Sequence, residues 1–501
     1  MPPISLLVFV VGAGALGSEI AAVRLLAPYF GASEVVWANT IGVVLVALSI
    51  GYWYGGKLGD RRPRLPDLCV AVSVAAALTA ALPFVARPLL NTGVDALDSV
   101  SAGAFVGSLI ATLLLLAIPV FVMGTVAPWA LRLGIERVDK LAAGALAGRL
   151  YAISTAGSLV GTLACSLLLI PAIGTRRTFL AFALLMALVG MLGVDRRWRP
   201  AAAALSAAIV ILMLIPLGGI KGKSASGEVI HERETHLQYV RVIEKRNGTR
   251  HLELNEGQAR HSVYRPGGVL IDDYWDALLV LPLATTGAPP SRMAILGNAA
   301  GTTARAYERF FPQTKIDGVE IDGELTEIGQ EYFDLNNPNL TAHTADARPF
   351  LRTTDERYDA IALDAYRQPY IPFYLTTREF FALAETKLTP DGVITVNVGH
   401  PKGSRQLERV LAGTMGSVFE NVWRDPTRET NTMLVASNAP LDPEKLIAGA
   451  KGVPELQPTA VRESQRLVPA DTSGDIYTDD HAPVEWLIDR SIVEYAAGGG
   501  K

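Results

Sequence analysis

The distribution of apolar residues divides the chain into two parts. Up to about residue 220 the sequence consists of long apolar runs separated by short polar stretches, and from residue 221 it has the mixed pattern of a soluble protein. A helix needs about 20 mostly apolar residues to cross the hydrocarbon core of a bilayer. We therefore predict a transmembrane helical domain over residues 1–220, with the lipid bilayer as its partner. About seven runs are long enough to cross, and they cover residues 4–29, 35–54, 68–85, 102–131, 147–170, 178–194 and 201–219.

The basic residues between these runs predict the orientation of the helices. Short cytoplasmic loops carry an excess of lysine and arginine. Here those residues follow the second, fourth and sixth runs and are sparse in the opposite loops. We predict a multi-pass protein of the plasma membrane with its amino terminus in the cytoplasm. With seven crossings this charge pattern favours a soluble part outside the cytoplasm, whereas one miscounted run would return it to the cytoplasm, so its side stays open.

Glycines recur within the first and fifth apolar runs. Gly12, Gly14 and Gly17 lie in the first run, and Gly157 and Gly161 lie in the fifth. Small residues at such positions let two helix backbones approach closely inside a membrane. We interpret these glycines as helix-packing positions.

Alternating apolar and polar residues open the soluble part. The pattern covers residues 228–239 and 250–254, and the Asn247-Gly248 pair between them is typical of a tight turn. A helix is predicted over residues 273–283. We assign residues 221–290 to a small β-hairpin region with a linking helix.

Strands and helices alternate through the rest of the chain. Short apolar strands are predicted at residues 293–296, 315–320, 360–363 and 393–398, with helices after residue 301, at 324–332 and at 378–388. This alternation predicts a Rossmann-like, doubly wound α/β domain with a parallel sheet over residues 291–501. In such sheets, ligands bind at the carboxyl ends of the strands.

Three features fall at those strand ends. Gly297 and Gly301 bound a loop between a strand and a helix, where the backbone can approach a ligand closely. Glu320 ends the next strand, at about the spacing from which an acidic residue binds ribose hydroxyls in dinucleotide folds. Asp346 precedes a helical stretch from which it could reach an adenine edge. Together these residues predict a site for a nucleoside-type ligand.

Asp364 is the candidate for chemistry at this edge of the sheet. It follows the third predicted strand, so its carboxylate would point into the cleft where a general base is needed. The alternative is an aspartate that caps a helix or braces a loop. Tyr366, Tyr370, Phe373 and Tyr374 could form the wall of a substrate pocket, although core packing is the alternative for each of them.

Charge and cysteine and histidine content limit the classes of partner and cofactor that the sequence predicts. The formal net charge is -4 and the isoelectric point is about 6.0, which gives no indication of nucleic-acid binding. Both cysteines, Cys69 and Cys165, lie in apolar runs, and no histidine pair has metal-ligand spacing on a helix. We predict neither a disulfide framework nor a metal site.

Taken in order, the motifs of residues 232–490 resemble those of the spermidine synthase (polyamine aminopropyltransferase) family, in a form fused to an N-terminal multi-span, transporter-like domain. Thr235-His236-Leu237-Gln238 is similar to the family's Ser-x-Tyr-Gln, and Val319-Glu320-Ile321-Asp322 is similar to its Val-Glu-Ile-Asp. Asp346-Ala347-Arg348 falls on its Asp-Ala-Arg motif, and Asp364 falls on its catalytic aspartate. Further similar segments are residues 254–258, 297–301, 375–381, 388–393 and 478–485.

The resemblance implies a Rossmann-like fold of the S-adenosylmethionine-methyltransferase type. It also implies transfer of an aminopropyl group from decarboxylated S-adenosylmethionine to an amine, with Asp364 as the base. The residues that would hold the nucleoside are Gln238, Gly297, Gly301, Glu320, Asp346, Ala347 and Pro369. The residues that would contact the substrate are Tyr274, Trp275, Asp276, Tyr366 and Arg367. A homodimer is one possible assembly.

The amine end of the implied site departs from the family pattern. Ala300 stands where the family's glycine-rich loop carries an aspartate for the aminopropyl group. Arg367 and Gln368 precede Pro369, where the family often has a second aspartate. Cationic groups are costly to desolvate without carboxylate partners. The sequence therefore predicts a retained nucleoside site and a diverged acceptor site.

Three functions stand as alternatives. The first is a membrane-anchored, spermidine-synthase-like transferase that acts on a small amine or another small acceptor. The second is a methyltransferase-like enzyme that uses intact S-adenosylmethionine. The third is a non-catalytic module that senses a ligand and is coupled to a transporter-like membrane bundle.

Overall fold

The computed structural model describes residues 4–31, 34–98, 104–136, 143–215, 220–224, 226–257, 259–366 and 371–488. The chain divides into two compact units, residues 1–222 and 223–501. The boundary lies where the apolar pattern ends, because the apolar helices pack with one another and the mixed segment folds around cores of its own.

Apolar helices make up the first unit. A π-helical turn, Cys165–Leu169, joins its fifth helix to its sixth. Inside the sixth helix Gly174 leaves the helical region, with φ 77° and ψ 164°. The described part of each predicted apolar run is largely helical, and residues 102–103 and 216–219 of these runs lie outside the described residues. The helices are α1 (Ile4–Phe30), α2 (Glu34–Arg61), α3 (Leu65–Asp98), α4 (Ala104–Ile135), α5 (Ala143–Ala164), α6 (Ile170–Met191) and α7 (Arg199–Leu214).

Length and composition decide which of these helices can cross a membrane. Within the described part of the chain, five helical segments are long and apolar enough. The fifth of them, residues 143–191, includes both α5 and α6. Helix α7 is shorter, with 16 residues. The number of seven crossings stays a prediction.

Three of the predicted glycines, Gly12, Gly157 and Gly161, lie where α1 and α5 touch. A Cβ atom added to Gly157 would lie 2.1 Å from the carbonyl oxygen of Phe9, and one added to Gly161 would lie 2.2 Å from that of Ala13. In the reverse direction, a Cβ atom on Gly12 would lie 2.6 Å from the carbonyl oxygen of Ser154. Any larger side chain would force the backbones apart, so the packing role predicted for these glycines is confirmed.

Four antiparallel strands begin the second unit and pair in chain order. They are β1 (Glu228–Glu234), β2 (Tyr239–Glu244), β3 (Arg250–Leu254) and β4 (Arg260–Tyr264). The predicted turn lies between β2 and β3, where Gly248 has a left-handed φ of 75° and donates its backbone N–H to the Lys245 carbonyl. Within residues 228–239 a second turn separates β1 from β2, because the Thr235 N–H donates to the Gln238 carbonyl.

A larger sheet with surrounding helices forms the rest of the second unit. Its strands are β5 (Arg292–Leu296), β6 (Lys315–Glu320), β7 (Leu340–Thr344), β8 (Tyr358–Leu363), β9 (Leu388–Gly399), β10 (Asn421–Arg428), β11 (Asn431–Ser437) and β12 (Val468–Pro469). Its helices are α8 (Tyr274–Val280), α9 (Thr302–Phe310), α10 (Gly323–Tyr332), α11 (Ala347–Thr353), α12 (Arg378–Lys387), α13 (Gln406–Gly416), α14 (Pro443–Gly449) and α15 (Gln457–Arg466).

The strand order in this sheet is β7-β6-β5-β8-β9-β11-β10-β12. Neighbouring strands from β7 to β9 pair in parallel, whereas β11, β10 and β12 are added by antiparallel pairing. The Rossmann-like arrangement is confirmed, but the prediction of a purely parallel sheet is wrong. Strands β10 and β11 are joined by a two-residue turn between Arg428 and Asn431, and strands joined so closely can pair only in antiparallel fashion.

The order in which the chain adds strands to the sheet reverses at β5. Strands β6 and β7 lie on one side of β5, and β8 and β9 lie on the other. A crevice forms at such a switch point, outside the carboxyl ends of the strands, and α/β sheets bind ligands there. Gly297 directly follows β5 and Asp364 directly follows β8, so both residues lie at this point.

Two apolar cores cover the faces of this sheet. On β8, Ala360 and Ala362 pack into one core, while Ile361 and Leu363 pack into the other. Because both faces of the strand are buried, the residue at its end emerges from a well-packed support.

Candidate active site

The loop between β5 and α9 needs glycine at two positions. Gly297 has a φ of 93° and Gly301 a φ of 79°. A Cβ atom on Gly297 would lie 2.5 Å from the carbonyl oxygen of Asp364 and 2.6 Å from the Cα atom of Ala365. The backbone N–H groups of Gly297 and Asn298 both donate to the Val319 carbonyl. The loop therefore joins the ends of β5, β6 and β8 at the switch point.

Glu320 binds the same loop from the end of β6. Its carboxylate accepts hydrogen bonds from the backbone N–H of Ala299, at 2.9 Å, and from that of Asp322, at 3.0 Å. Burial raises the pKa of Glu320 to about 7, although these backbone hydrogen bonds act in the opposite direction. The carboxylate is held in one orientation beside the glycine loop.

Gln238 reaches this edge from the small sheet. Its side-chain amide donates to the Asp322 carboxylate over 3.0 Å, and the Thr235 hydroxyl donates to the same oxygen over 2.6 Å. The structure thus brings Gln238 next to the segment that follows Glu320.

Asp346 lies at the start of α11, where it caps the helix. One carboxylate oxygen accepts from the Arg348 backbone N–H at 3.0 Å, and the other accepts from the Tyr374 hydroxyl at 2.7 Å. Ala347 is buried directly after it. The Arg348 guanidinium in turn forms two hydrogen bonds with Asp479, which ties the terminal segment to this corner.

Asp364 is bound by side chains from two other elements. One oxygen accepts from the Asn397 amide at 2.8 Å, and the other accepts from the Tyr274 hydroxyl at 3.2 Å. The neighbouring Trp275 side chain acts to lower the pKa of Asp364. Burial raises the pKa of Asp364 to about 7, against the lowering effect of these hydrogen bonds. A helix cap would accept backbone N–H groups instead, so the geometry favours the general base.

The residues predicted to contact the substrate separate into two groups. The rings of Tyr274 and Trp275, 4.3 Å apart at the start of α8, lie beside Asp364. Tyr366 donates its hydroxyl to the Asn397 carbonyl at 2.9 Å and accepts the Gly399 N–H. Asp276, by contrast, accepts the backbone N–H groups of Ile271 and Asp272, which gives it a bracing role. Arg367 and Pro369 lie outside the described residues.

Three residues of the site were missed by sequence reasoning. Asn397 orients Asp364, and its signal is a polar residue inside the apolar strand β9. Asp273 caps α8 and acts on Asp364 through its charge. Asn298 lies in the glycine loop, and both polar atoms of its amide are buried without a hydrogen-bond partner among the residues that the structure describes. A ligand in the crevice could provide the missing partner.

Comparison with known proteins identifies relatives of this unit. Residues 273–426 match the family described as "Spermine/spermidine synthase domain". A probable polyamine aminopropyl transferase of Bifidobacterium longum (strain NCC 2705) is 30% identical over 248 residues, which cover 44% of this chain and 55% of that protein. A polyamine aminopropyltransferase of Vibrio vulnificus (strain CMCP6) is 35% identical over 112 residues, which cover 22% of this chain and 38% of that protein.

These matches cover only part of each protein. The chain spans about half the length of the curated relatives it matches. Among solved structures, a probable spermidine synthase from Corynebacterium glutamicum ATCC 13032 aligns with a TM-score of 0.41 and 18% identity, over 51% of this chain and 98% of that one.

Proposed function

We propose that this chain, whose residues 273–426 match the spermine/spermidine synthase domain family, is a membrane-anchored transferase. It moves an aminopropyl group from decarboxylated S-adenosylmethionine to a small amine. The observation that carries this proposal is the position of Asp364 at the switch point, where Asn397 and Tyr274 hold its carboxylate and its backbone lies against the glycine loop.

The residues predicted to hold the nucleoside fit an adenosine group. The left-handed glycines let the backbone approach a ligand, and Glu320 places a fixed carboxylate where ribose hydroxyls can donate to it. Asp346 and Gln238 lie along the same edge of the unit. The unpartnered amide of Asn298 adds one donor and one acceptor.

Asp364 takes the proton that the reaction releases. The amine lone pair attacks the carbon next to the sulfonium, so a C–N bond forms as the C–S bond breaks and its electron pair passes to sulfur, which leaves a neutral thioether. The nitrogen then gives a proton to the Asp364 carboxylate. A pKa of about 7 makes Asp364 a better proton acceptor at neutral pH than an ordinary aspartate.

The test is a product assay on the full chain, purified in detergent. It is incubated with a primary amine and either decarboxylated or intact S-adenosylmethionine. We expect an aminopropylated amine and methylthioadenosine from the first donor. A methylated product and S-adenosylhomocysteine from the second would replace the proposal by a methyltransferase. Transfer of neither group would favour a non-catalytic module that senses a ligand.

The methyltransferase remains the second candidate because of Ala300. Its side chain is fully buried, and its backbone N–H donates to the Ser262 hydroxyl at 3.0 Å. No carboxylate stands at this position of the loop to bind the ammonium of an aminopropyl group. The two-donor assay separates the candidates directly.

Asn298→Ala is expected to weaken the binding of methylthioadenosine by about tenfold. In the ligand-free protein the same change should leave the free energy of unfolding unchanged or raise it by up to about 1 kcal/mol, because it removes a buried amide without partners. Calorimetric titration and thermal unfolding measure the two effects. The control is Asn337→Ala, which removes a hydrogen bond to the Ala304 carbonyl and should lower stability without affecting binding. Unchanged affinity in Asn298→Ala would contradict a ligand contact.

We place the transferase unit on the cytoplasmic side of the plasma membrane. Helix α7 has 16 residues, about 24 Å of helix, which is less than the hydrocarbon thickness of about 30 Å. Without a crossing by α7, an amino terminus in the cytoplasm returns the transferase unit to the same side, where adenosyl donors are made.

A fluorescent protein fused after Lys501 should therefore fluoresce, and alkaline phosphatase fused there should be inactive. The same fusions after Arg61, at the end of α2, serve as the cytoplasmic control. Active phosphatase at Lys501 would contradict this placement.

A further inference from the structure

Asp273 lies at the start of α8, next to Tyr274, whose hydroxyl binds Asp364, and its charge raises the pKa of Asp364. One Asp273 oxygen accepts the Tyr274 backbone N–H and pairs with the Arg428 guanidinium at 2.9 Å. The other pairs with the Arg260 guanidinium at 2.7 Å. The Asp273 side chain is only 5% exposed. Its charge is therefore already compensated within the protein.

The described residues that bind the Asp364 carboxylate add no further negative charge. Ala300 is buried beneath Ser262 in the glycine loop. Among the described residues that hold Asp364, the partners Asn397, Tyr274 and Trp275 are neutral. Of the two carboxylates Asp364 and Asp273, only Asp273 is paired with arginine.

A linear diamine carries a second ammonium group that must also leave water when its chain enters the site. A buried ammonium without a carboxylate partner costs several kcal/mol. The half-buried aromatic rings of Tyr274 and Tyr366 instead offer apolar surface that suits an uncharged tail. We infer that the acceptor is a primary amine with a single positive charge and an uncharged tail, rather than a diamine or polyamine.

Arg260 and Arg428 then act as specificity-determining residues, because they occupy the carboxylate that a second ammonium would need. Arg428 also donates to the Asp272 carbonyl at 2.8 Å, so it holds the backbone in front of α8. Replacement of both arginines by glutamine would free the Asp273 charge. The helix cap would remain, since the hydrogen bond from the Tyr274 N–H does not involve either arginine.

The test compares 1-aminobutane with 1,4-diaminobutane, which share a carbon chain and differ by one amino group. The inference rests on the proposed function, so the full chain in detergent is assayed with decarboxylated S-adenosylmethionine. We expect kcat/KM for the monoamine to exceed that for the diamine by at least about tenfold. In the Arg260→Gln, Arg428→Gln double variant the ratio should shift toward the diamine by at least about tenfold.

Arg309→Gln is the matched control, because it removes one arginine from an exposed ion pair with Glu455. It should leave the ratio unchanged. A diamine preference in the unaltered chain would overturn the inference while the proposed function stands, and this measurement needs no variant to fold. An unchanged ratio in a double variant that still binds methylthioadenosine would overturn the role of Asp273. The absence of transfer to any amine would instead count against the proposed function.

Discussion

Asp364→Asn is expected to lower kcat for aminopropyl transfer by about a thousandfold while it leaves donor affinity nearly unchanged. Asparagine has almost the same shape and can still accept the hydrogen bond from Asn397, but it cannot take a proton from the attacking amine. The nucleoside end, including Glu320, keeps its contacts. Steady-state kinetics of the full chain, combined with titration of methylthioadenosine, measures both quantities.

Asp359→Asn is the control for this substitution. Asp359 lies on the same strand, β8, but it binds the Ser291 backbone N–H and the Thr389 hydroxyl at the far end. It should leave kcat within about twofold of the unaltered chain. Activity retained in Asp364→Asn would remove Asp364 as the base.

The raised pKa of Asp364 also predicts the sign of the change in stability that Asp364→Asn causes. Burial raises the pKa in the folded state to about 7 from the ordinary 3.8. At pH 8 the carboxyl group is ionised in both states and the folded state bears the desolvation cost. Below about pH 4 it is protonated in both states and the cost is absent. Asp364→Asn should therefore raise the free energy of unfolding by about 1–2 kcal/mol at pH 8, and this gain should shrink as the pH falls through the window between 7 and 4. Thermal unfolding at pH 8 and pH 5 tests the sign.

The parts of the site that the sequence could predict are those set by position along the strands. Gly297 and Asp364 follow strands that are recognisable from their apolar runs, and parallel neighbours bring their carboxyl ends to one edge. The adjacency of the two residues therefore follows from the strand pattern. Glu320 could be predicted for the same reason.

The parts that could not be predicted depend on pairing between distant segments. Asn397 lies beside Asp364 because Leu363 of β8 pairs with Val396 of β9, and this register is not visible in either strand alone. The pairing of Asp273 with Arg260 and Arg428 joins residues from three elements. A capping aspartate and a ligand-binding aspartate also look alike in a sequence, which is why the bracing role of Asp276 appeared only in the structure.

The second large effect is expected from Gly297→Ala, which should weaken the binding of methylthioadenosine by about a hundredfold. Alanine must adopt a φ near 93°, and its Cβ atom would lie 2.5 Å from the Asp364 carbonyl oxygen. The atoms in the way are backbone, so the loop or the end of β8 has to move. Both movements displace groups that hold the nucleoside and the base. We also expect a loss of about 2–4 kcal/mol in the free energy of unfolding.

Gly403→Ala separates the effect of backbone strain from that of the steric contact. Gly403 has a φ of 77°, but no atom lies within 4 Å of a Cβ added to it. The substitution should cost about 1 kcal/mol of stability through backbone strain and leave binding unchanged. The difference between the two variants then measures the close approach of β5 and β8. If Gly297→Ala bound methylthioadenosine as tightly as Gly403→Ala does, the contact between the glycine loop and Asp364 would not shape the nucleoside site. The ligand would then have to bind in another part of the crevice at the switch point.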